Sequence, residues 1–426
     1  MRRCSDMQFH TAAKLRIYPS SEQKKIISVN DGASRFVYNR LTANDRDLHA
    51  MKKVVGSCPA YLERIAYLEQ VRTSKRELVN TIPFLNCEDV DSLSVDNAIR
   101  NHNRAWKQFR EDPGTGIPGF HKKGYAQTYQ TNAHYKADAL TWEDGNVRFI
   151  WRSSNEKIPH YIQLPKIGAI RFRCSPEVRN LLLTHRNDTR IGTITISRDN
   201  CGDYYAVLQM SSDSPFFEPL PRTGKRVGID MNLTSLYMDS DGNSAENIRV
   251  GRNAKKKLAK AQRKLSRIAV RAKKEGRSLY ESSNYQKQRL RTAKIQRQVS
   301  SAREDYLQVQ TKRLVESQDL IVSEDLKVKN LMKNHCLAFS ISDVSWSRFF
   351  TLLGQKAVSY GKTYIKVPAK NTTQTCSCCG HVMAGDETIP LGVEEWVCPA
   401  CGTHHVRDHN AAINILERGM ALISCG

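Results

Sequence analysis

Four cysteines in the last quarter of the chain have the type and spacing of a metal site. They form two C-x2-C pairs, each followed by a glycine: Cys376, Cys379, Cys398 and Cys401. Two thiolates on a turn that glycine permits can share one Zn²⁺ with a second such pair. Four sulfur ligands leave no position for water, so the pattern predicts a structural zinc site. The alternative is four structural cysteines without a metal.

Three acidic residues lie at the ends of predicted elements. Asp230 is in the apolar strand-like segment Arg226–Met238, Glu324 ends a short apolar run, and Asp408 begins a helix with apolar residues at helical spacing. Each has an ordinary alternative as a helix cap or a turn residue. Together they match the ligand set of a two-metal phosphodiesterase, because Mg²⁺ prefers carboxylate oxygens. Two such ions would activate water and stabilise the leaving oxygen.

A basic segment separates the first two of these acids. Residues 251–313 contain 20 Lys and Arg against 4 Asp and Glu, which is +16 of the net charge of +23. Apolar spacing and few Gly or Pro predict two long helices that break near Glu275–Ser278. A solvated face is the alternative, but the density of one sign favours phosphate contact. The residues predicted to make it are Lys255, Lys256, Lys257, Arg263 and Lys264.

Composition supports a nucleic-acid partner and excludes a membrane span. At about 100–200 residues per domain, 426 residues allow two to four domains. A pI near 9.6 predicts a polyanionic partner. No apolar run approaches ~18 residues, and the N-terminus lacks the apolar stretch of a signal peptide. We therefore expect a cytoplasmic protein that associates with the nucleoid when it binds DNA.

The N-terminal half divides into a helical and a strand-rich part. Residues from about 28 to 110 are predicted to be mostly helical, with Trp106 and Phe109 in the core. Residues from about 120 to 212 alternate as strands, with a hairpin turn at Asp199–Gly202. A Pro-containing link at Phe217–Gly224 predicts a domain boundary.

Several motifs resemble a known family, the transposon-encoded TnpB proteins with a RuvC-like nuclease. Two weaker matches lie in the N-terminal half, KLRIYPSSEQKKII (Lys14–Ile27) and RFVYNR (Arg35–Arg40). The strong matches occur in the family's order over residues 225–420: GIDMNL (Gly228–Leu233), VSEDLKVKNLMKN (Val322–Asn334), SDVSWSRF (Ser342–Phe349), TTQTCSCCG (Thr372–Gly380) and RDHNAAINIL (Arg407–Leu416).

This resemblance implies a multidomain α+β fold. It comprises an N-terminal β-barrel wedge domain with an inserted helical recognition domain, then an RNase H-like (RuvC) α/β nuclease domain with an inserted zinc ribbon. The implied boundaries are 1–27 and 119–222 for the wedge, 28–118 for the recognition domain, 223–370 and 405–426 for the nuclease, and 371–404 for the zinc insertion.

The resemblance also implies a function, an RNA-guided DNA endonuclease encoded by a transposable element. The family's catalytic triad falls on Asp230, Glu324 and Asp408, and its zinc ligands fall on the four cysteines. The implied cofactors are two Mg²⁺ ions, one structural Zn²⁺ and a guide RNA. The implied partners are the guide RNA and double-stranded target DNA, with the protein a monomer in its RNA complex. Alternatives are a miniature type V CRISPR effector, a non-cleaving RNA- and DNA-binding relative, and a transposase that performs strand transfer.

One segment resembles the family region that touches the target-adjacent motif. By its position after the helical insertion, Gln127–Asn132 is that segment, and Thr131 and Asn132 are predicted to contact bases, with Asn97 as a third. Asn can pair with adenine and Thr can meet the thymine methyl, so the motif is expected to be A/T-rich. The alternative is a polar strand edge.

Overall fold

The computed structural model describes residues 4–54, 58–135, 145–151, 159–186, 188–390 and 392–424. The chain divides into two compact units, Met1–Phe216 and Phe217–Gly426. A chain of more than one domain is therefore confirmed. Short 3-10 turns occupy Cys4–Asp6, Pro83–Asn86, Pro113–Thr115 and Gly385–Glu387.

In the described residues, the first unit contains an antiparallel sheet of seven strands. They are β1 Phe9–Tyr18, β2 Gln127–Asn132, β3 Arg148–Ile150, β4 Tyr161–Leu164, β5 Gly168–Arg173, β6 Thr189–Arg198 and β7 Tyr204–Ser212. Their order in the sheet is β2-β6-β7-β1-β5-β4-β3. Burial alternates along β1, where Ala13, Leu15 and Ile17 are buried and the residues between them are exposed. The sheet therefore covers a core with one face. Its edges among the described strands are β2 and β3, and a closed barrel stays a prediction.

In the chain, four helices lie between β1 and β2, although β1 is a central strand of the sheet. They are α1 Ser21–Met51, α2 Pro59–Thr73, α3 Lys75–Asn80 and α4 Ser92–Glu111, and α5 Pro176–Thr184 follows β5. A capping box between Ser20 and Gln23 fixes the start of α1, because it satisfies free N–H groups at both residues. Trp106 on α4 is buried, as predicted. The chain thus builds a sheet interrupted by a helical insertion, and the predicted hairpin at Asp199–Gly202 joins β6 to β7.

The second unit contains a mixed sheet of five strands. They are β8 Arg226–Asp230, β9 Ser235–Asp239, β10 Ser244–Glu246, β11 Leu320–Glu324 and β12 Thr363–Val367. The order is β10-β9-β8-β11-β12, antiparallel from β10 to β8 and parallel from β8 to β12. Because β8 and β11 are parallel neighbours, their carboxyl ends meet at one edge of the sheet.

The second unit also contains helices, some of which cover the two faces of this sheet. They are α6 Val250–Lys274, α7 Ser283–Ser317, α8 Val328–Leu331, α9 His335–Val344, α10 Trp346–Ser359 and α11 Arg407–Ser424. α7 and α10 share a core with Val227, Ile229 and Ile321 on one face. Ile415 of α11 packs on Val322 on the other. The two long basic helices and their break are as predicted. No helix in the described ranges has the length and apolar character to cross a bilayer.

A small hairpin follows the main sheet and leads into α11. Its strands are β13 Glu395–Val397 and β14 His404–Val406, which pair antiparallel. Met383, Ile389 and Trp396 form a small core with two of the cysteines. β14 runs directly into α11, so the cysteine pairs and the first turn of α11 are adjacent in the chain.

Candidate active site and four-cysteine group

Two of the predicted catalytic carboxylates end neighbouring parallel strands. Asp230 is the last residue of β8 and Glu324 is the last residue of β11. Ser323 lies opposite Ile229 in the register, so the two acids follow paired residues on adjacent strands. Neighbouring strands in a sheet are roughly 4.8 Å apart. Each is 7% exposed. The fold therefore brings together two acids that are 94 positions apart in the sequence.

The third carboxylate comes from α11. Asp408 is the second residue of this helix, and Asn232 Nδ2 donates to its Oδ2 at 2.9 Å. The helix lies very close to β8, since a Cβ on Gly228 would be 2.1 Å from the carbonyl oxygen of Ala412. Glycine at this position is what permits the close packing that carries Asp408 toward Asp230.

The charges of Glu324 and Asp408 act on Asp230. Burial, then the negative charges of Glu324 and Asp408, raise the pKa of Asp230 well above its usual value, and Arg407 opposes them. Burial also raises the pKa of Glu324, which the Thr372 hydroxyl and Arg418 lower. Buried like charges disfavour ionisation unless a cation joins them. A cation beside Asp230 and Glu324 would favour their ionised forms, and carboxylate oxygens are the ligands that Mg²⁺ prefers.

Two asparagines of α11 hold the segment that precedes the first cysteine pair. Asn410 accepts a hydrogen bond from Ser377 N at 2.9 Å and donates to Thr375 O at 2.8 Å. Asn414 Nδ2 donates to Thr372 O at 2.8 Å and to Thr375 O at 2.7 Å. The Thr372 hydroxyl in turn donates to Glu324 Oε1. Sequence reasoning assigned these residues no role, although they lie in the two motifs that flank the cysteines.

The four predicted zinc ligands converge. Their sulfur atoms all lie within 4.8 Å of one another. The distances Cys376–Cys401 and Cys379–Cys398 are both 3.7 Å. A tetrahedron with Zn–S bonds of about 2.3 Å has sulfur–sulfur edges of about 3.8 Å. The group therefore has the size that one tetrahedral Zn²⁺ requires.

Both cysteine pairs have the same backbone turn. The N–H of Gly380 donates to Cys376 O, and the N–H of Gly402 donates to Cys398 O, each at 2.9 Å. The two glycines have φ of 75° and 71°, which disfavours a side chain. Hydrogen bonds from the side chain and backbone of Thr403 lower the pKa of Cys401 to about 6. The pKa of Cys379 is instead raised, to about 12, so binding of a metal by all four sulfurs would displace thiol protons, since the thiolate is the ligand form.

The predicted phosphate contacts on α6 are all exposed. Within the described part of the chain, no carboxylate pairs with any of these five side chains, which belong to Lys255, Lys256, Lys257, Arg263 and Lys264. The ammonium of Lys255 lies 5.0 Å from the centre of the Phe339 ring. These side chains are available to phosphates, as an interaction surface requires.

The predicted base-contacting residues do not form one surface, and two of them need a correction. Thr131 is 0% exposed, and its hydroxyl donates to Asp91, which caps α4. Asn97 is 6% exposed, and its amide donates to Leu93 O at 2.9 Å and Gln130 O at 3.3 Å. Both polar groups are used inside the first unit, so neither can meet a base in this structure. Asn132 is half-buried and remains a candidate.

Comparison with known proteins identifies the family. Family models described as "Helix-turn-helix domain", "Probable transposase" and "Cas12f1-like, TNB domain" match residues 7–53, 205–335 and 346–415. TnpB-like protein L770 of Acanthamoeba polyphaga mimivirus is 24% identical, over 97% of this chain and 74% of its own length. A "Putative RNA-guided DNA endonuclease" of Streptomyces pristinaespiralis is 30% identical, over 98% of this chain and 92% of its own. The chain belongs to the TnpB family.

This membership confirms the family inferred from the motifs. A chain of the solved Cas12f1–sgRNA–target DNA complex has the same fold as this TnpB protein. The two share a TM-score of 0.54 at 13% identity, over 96% of this chain and 98% of the other. The likeness supports a multidomain α/β fold common to both.

Proposed function

We propose that this TnpB protein is an RNA-guided DNA endonuclease encoded by a transposable element. The observation that supports the proposal is that the neighbouring strands β8 and β11 end in Asp230 and Glu324, and that the charge of Asp408 on α11 acts on Asp230. The name of the Streptomyces relative agrees with it. In such an enzyme base pairing with the guide selects the target, while the protein recognises a short flanking motif and the shape of the heteroduplex.

The three carboxylates would hold two Mg²⁺ ions. When bound, these ions supply an activated water and stabilise the leaving oxygen. The chain's own residues hold the ligands in place: Asn232 orients Asp408, and Thr372 orients Glu324. Burial of Asp230 and Glu324 keeps bulk water away, so that hydrogen bonds and charges act strongly at the reacting phosphate.

The remaining parts would bind nucleic acid and support the site. The exposed cationic face of α6 would contact phosphates of the guide RNA or its heteroduplex, and Asn132 would contribute to motif recognition. The four cysteines would hold one structural Zn²⁺. We propose a monomer in complex with its RNA and double-stranded target. We retain the boundaries 1–27, 28–118, 119–222, 223–370, 371–404 and 405–426 as its domain and segment limits.

A miniature type V CRISPR effector is the second candidate function. The fold shared with the Cas12f1 chain, over nearly the full length of both, favours it. The chemistry at the carboxylates would be the same. The genomic surroundings separate the two, since a CRISPR effector lies beside a repeat array and a transposon nuclease lies beside transposon ends.

Purification with its own RNA tests the proposal. RNA that co-purifies is sequenced, and the complex is given a plasmid library with randomised sequence beside a matching target. Wild type should cut in Mg²⁺. Asp230→Ala, Glu324→Ala and Asp408→Ala should each abolish cutting and keep target binding. Asp305→Ala removes an exposed acid of α7 and should cut normally. Full cutting by any of the first three would refute that residue's assignment.

A further inference from the structure

The residues between β12 and the first cysteine pair link two parts of the second unit. Within residues 371–377, which we name the connecting segment, Thr372 is 2% exposed and its hydroxyl faces Glu324 Oε1. The same hydroxyl lies 3.2 Å from Ala369 O. A hydroxyl has one hydrogen, and a bond to an ionised carboxylate is stronger than one to a neutral carbonyl. Thr372 therefore donates to Glu324.

This bond restricts how Glu324 can bind a cation. Its Oε1 is engaged by Thr372, and in the described ranges no hydrogen bond reaches Oε2. A carboxylate with one oxygen fixed presents the other in a defined direction. Partners that orient a ligand in this way are typically worth about 10- to 100-fold in metal affinity or activity.

The connecting segment is also fixed to the helix that carries Asp408. The side-chain amides of Asn410 and Asn414 bind the carbonyl oxygens of Thr372 and Thr375 at 2.7–2.8 Å. Asn410 is two residues from Asp408 on the same helix. Glu324 and Asp408 are therefore held by one short stretch of backbone, although they come from different elements.

The opposite side of the segment is fixed to the four-cysteine group. Gln374 exchanges two hydrogen bonds with the backbone of Ile389, at 3.0 and 2.9 Å. Cys376 N donates to His381 O at 2.8 Å, and Cys376 is itself a member of the group. If the cysteines lost their common ligand, Ile389 and Cys376 would lose their fixed positions, since this hairpin has only a small core.

We propose that the connecting segment transmits the order of the four-cysteine group to the carboxylate site, with Thr372 as the positioning residue for Glu324. This inference rests on the proposed function. It gives the zinc group a role in cation binding at the carboxylate site, and it explains why a threonine hydroxyl lies buried against Glu324, 48 positions earlier in the chain. Thr372 itself holds no metal.

Three variants of the full-length RNA complex test the role of the hydroxyl. Thr372→Val removes it at nearly constant volume, and Thr372→Ser keeps it. Thr363→Val is the matched control, because Thr363 begins β12 at the opposite end of the same sheet. Thr372→Val should raise the half-saturating Mg²⁺ concentration for cleavage about 10-fold or more. Thr372→Ser and Thr363→Val should stay close to wild type.

A second readout does not depend on cleavage of DNA. Fe²⁺ replaces Mg²⁺, and ascorbate with peroxide produces radicals that cut the polypeptide beside the bound iron. Mass spectrometry locates these cuts and gives their dependence on Fe²⁺ concentration. Thr372→Val should require about 10-fold more iron for the same cutting near residues 230 and 324. Equal iron and magnesium dependence in Thr372→Val and wild type would overturn the inference, as would a Thr372→Ser variant as impaired as Thr372→Val.

The link to the cysteines has its own test. Cys379→Ser should lower the zinc content and reproduce the rise in half-saturating Mg²⁺. Loss of zinc with an unchanged Mg²⁺ requirement would overturn this part. The Asp230→Ala variant distinguishes failure of the proposed carboxylate site from failure of the inference about Thr372. If it keeps both cleavage and iron-directed cutting, the proposed carboxylate site fails; if it loses both while Thr372→Val behaves as wild type, only the present inference fails.

Discussion

Replacement of Gly228 by alanine should disrupt the site without touching any proposed ligand. A Cβ at this position would lie 2.1 Å from Ala412 O, 2.7 Å from Leu416 N and 2.9 Å from Leu416 Cβ. Ordinary contact begins near 3.4 Å. Two of these three atoms are backbone atoms of α11, so no change of rotamer can relieve the overlap. The helix and β8 must separate by roughly 1 Å, because a packed interior has no spare volume.

The expected loss of cleavage rate depends on how far Asp408 lies from the overlap at Ala412. Ala412 lies one turn from Asp408, about 6 Å along the axis, so the displacement reaches the carboxylate almost undiminished. A misplacement of about 1 Å can lower a rate about 100-fold, which is about 2.7 kcal/mol of transition-state stabilisation. Overpacking should also lower the free energy of unfolding by about 1–3 kcal/mol.

Single-turnover cleavage by the RNA complex and thermal unfolding measure the two effects. At about 2–4 °C per kcal/mol for a unit of this size, the Tm should fall by several degrees. Gly354→Ala is the control, because its Cβ would make an ordinary contact of 3.6 Å with the Tyr364 ring. In a helix that change should be neutral or stabilising. A Gly228→Ala variant with the wild-type rate would refute the idea that close packing of α11 on β8 sets the position of Asp408.

Three further predictions concern zinc, salt and motif recognition. Elemental analysis of chelator-washed protein should find one zinc per chain, and a well-folded sample with none would exclude the metal. Replacement of the five cationic residues of α6 by glutamine should make the slope of log affinity against log salt shallower by about 3–5, since each lost phosphate contact contributes about 0.7–0.9. An unchanged slope would mean that this face is only solvated. Asn132→Ala should weaken the preference for one flanking motif and leave RNA binding intact, whereas Asn97→Ala should lower the free energy of unfolding. An unaltered motif preference in Asn132→Ala would mean that other residues of the first unit recognise the motif.

Local patterns in the sequence were sufficient to predict much of the second unit. A short apolar run that ends in an acid predicted β11, and the turn chemistry at Asp241–Asn243 predicted the hairpin of β9 and β10. The single strand predicted over Arg226–Met238 was wrong in extent, because the chain forms β8 and β9 there and Asp230 ends β8. The cysteine spacing identified all four members of the group. These features depend on residues that are close together in the chain, where periodicity and turn preferences act.

Other features depend on partners that are far apart in the chain. The sheet order β2-β6-β7-β1-β5-β4-β3 pairs strands across the helical insertion, and no local pattern encodes it. Thr131 looked like an exposed polar residue, but its hydroxyl is used by Asp91, 40 positions earlier. Thr372 was unnoticed for the same reason, because its partner Glu324 lies 48 positions away. A polar side chain can be exposed or can be buried against a distant polar partner, and only the tertiary fold distinguishes these two outcomes.

The central place of β1 in the first sheet has a consequence for synthesis on the ribosome. The neighbours of β1 are β5 and β7, and Phe9 pairs with Ser212, so the first strand must wait for about 200 more residues before both neighbours exist. At about 5–20 residues per second, that delay is on the order of 10–40 s. The inserted helices have local contacts and can form during this time. The apolar side chains of β1 meanwhile lack their complete sheet, so the core face of this strand stays exposed until β7 has been synthesised.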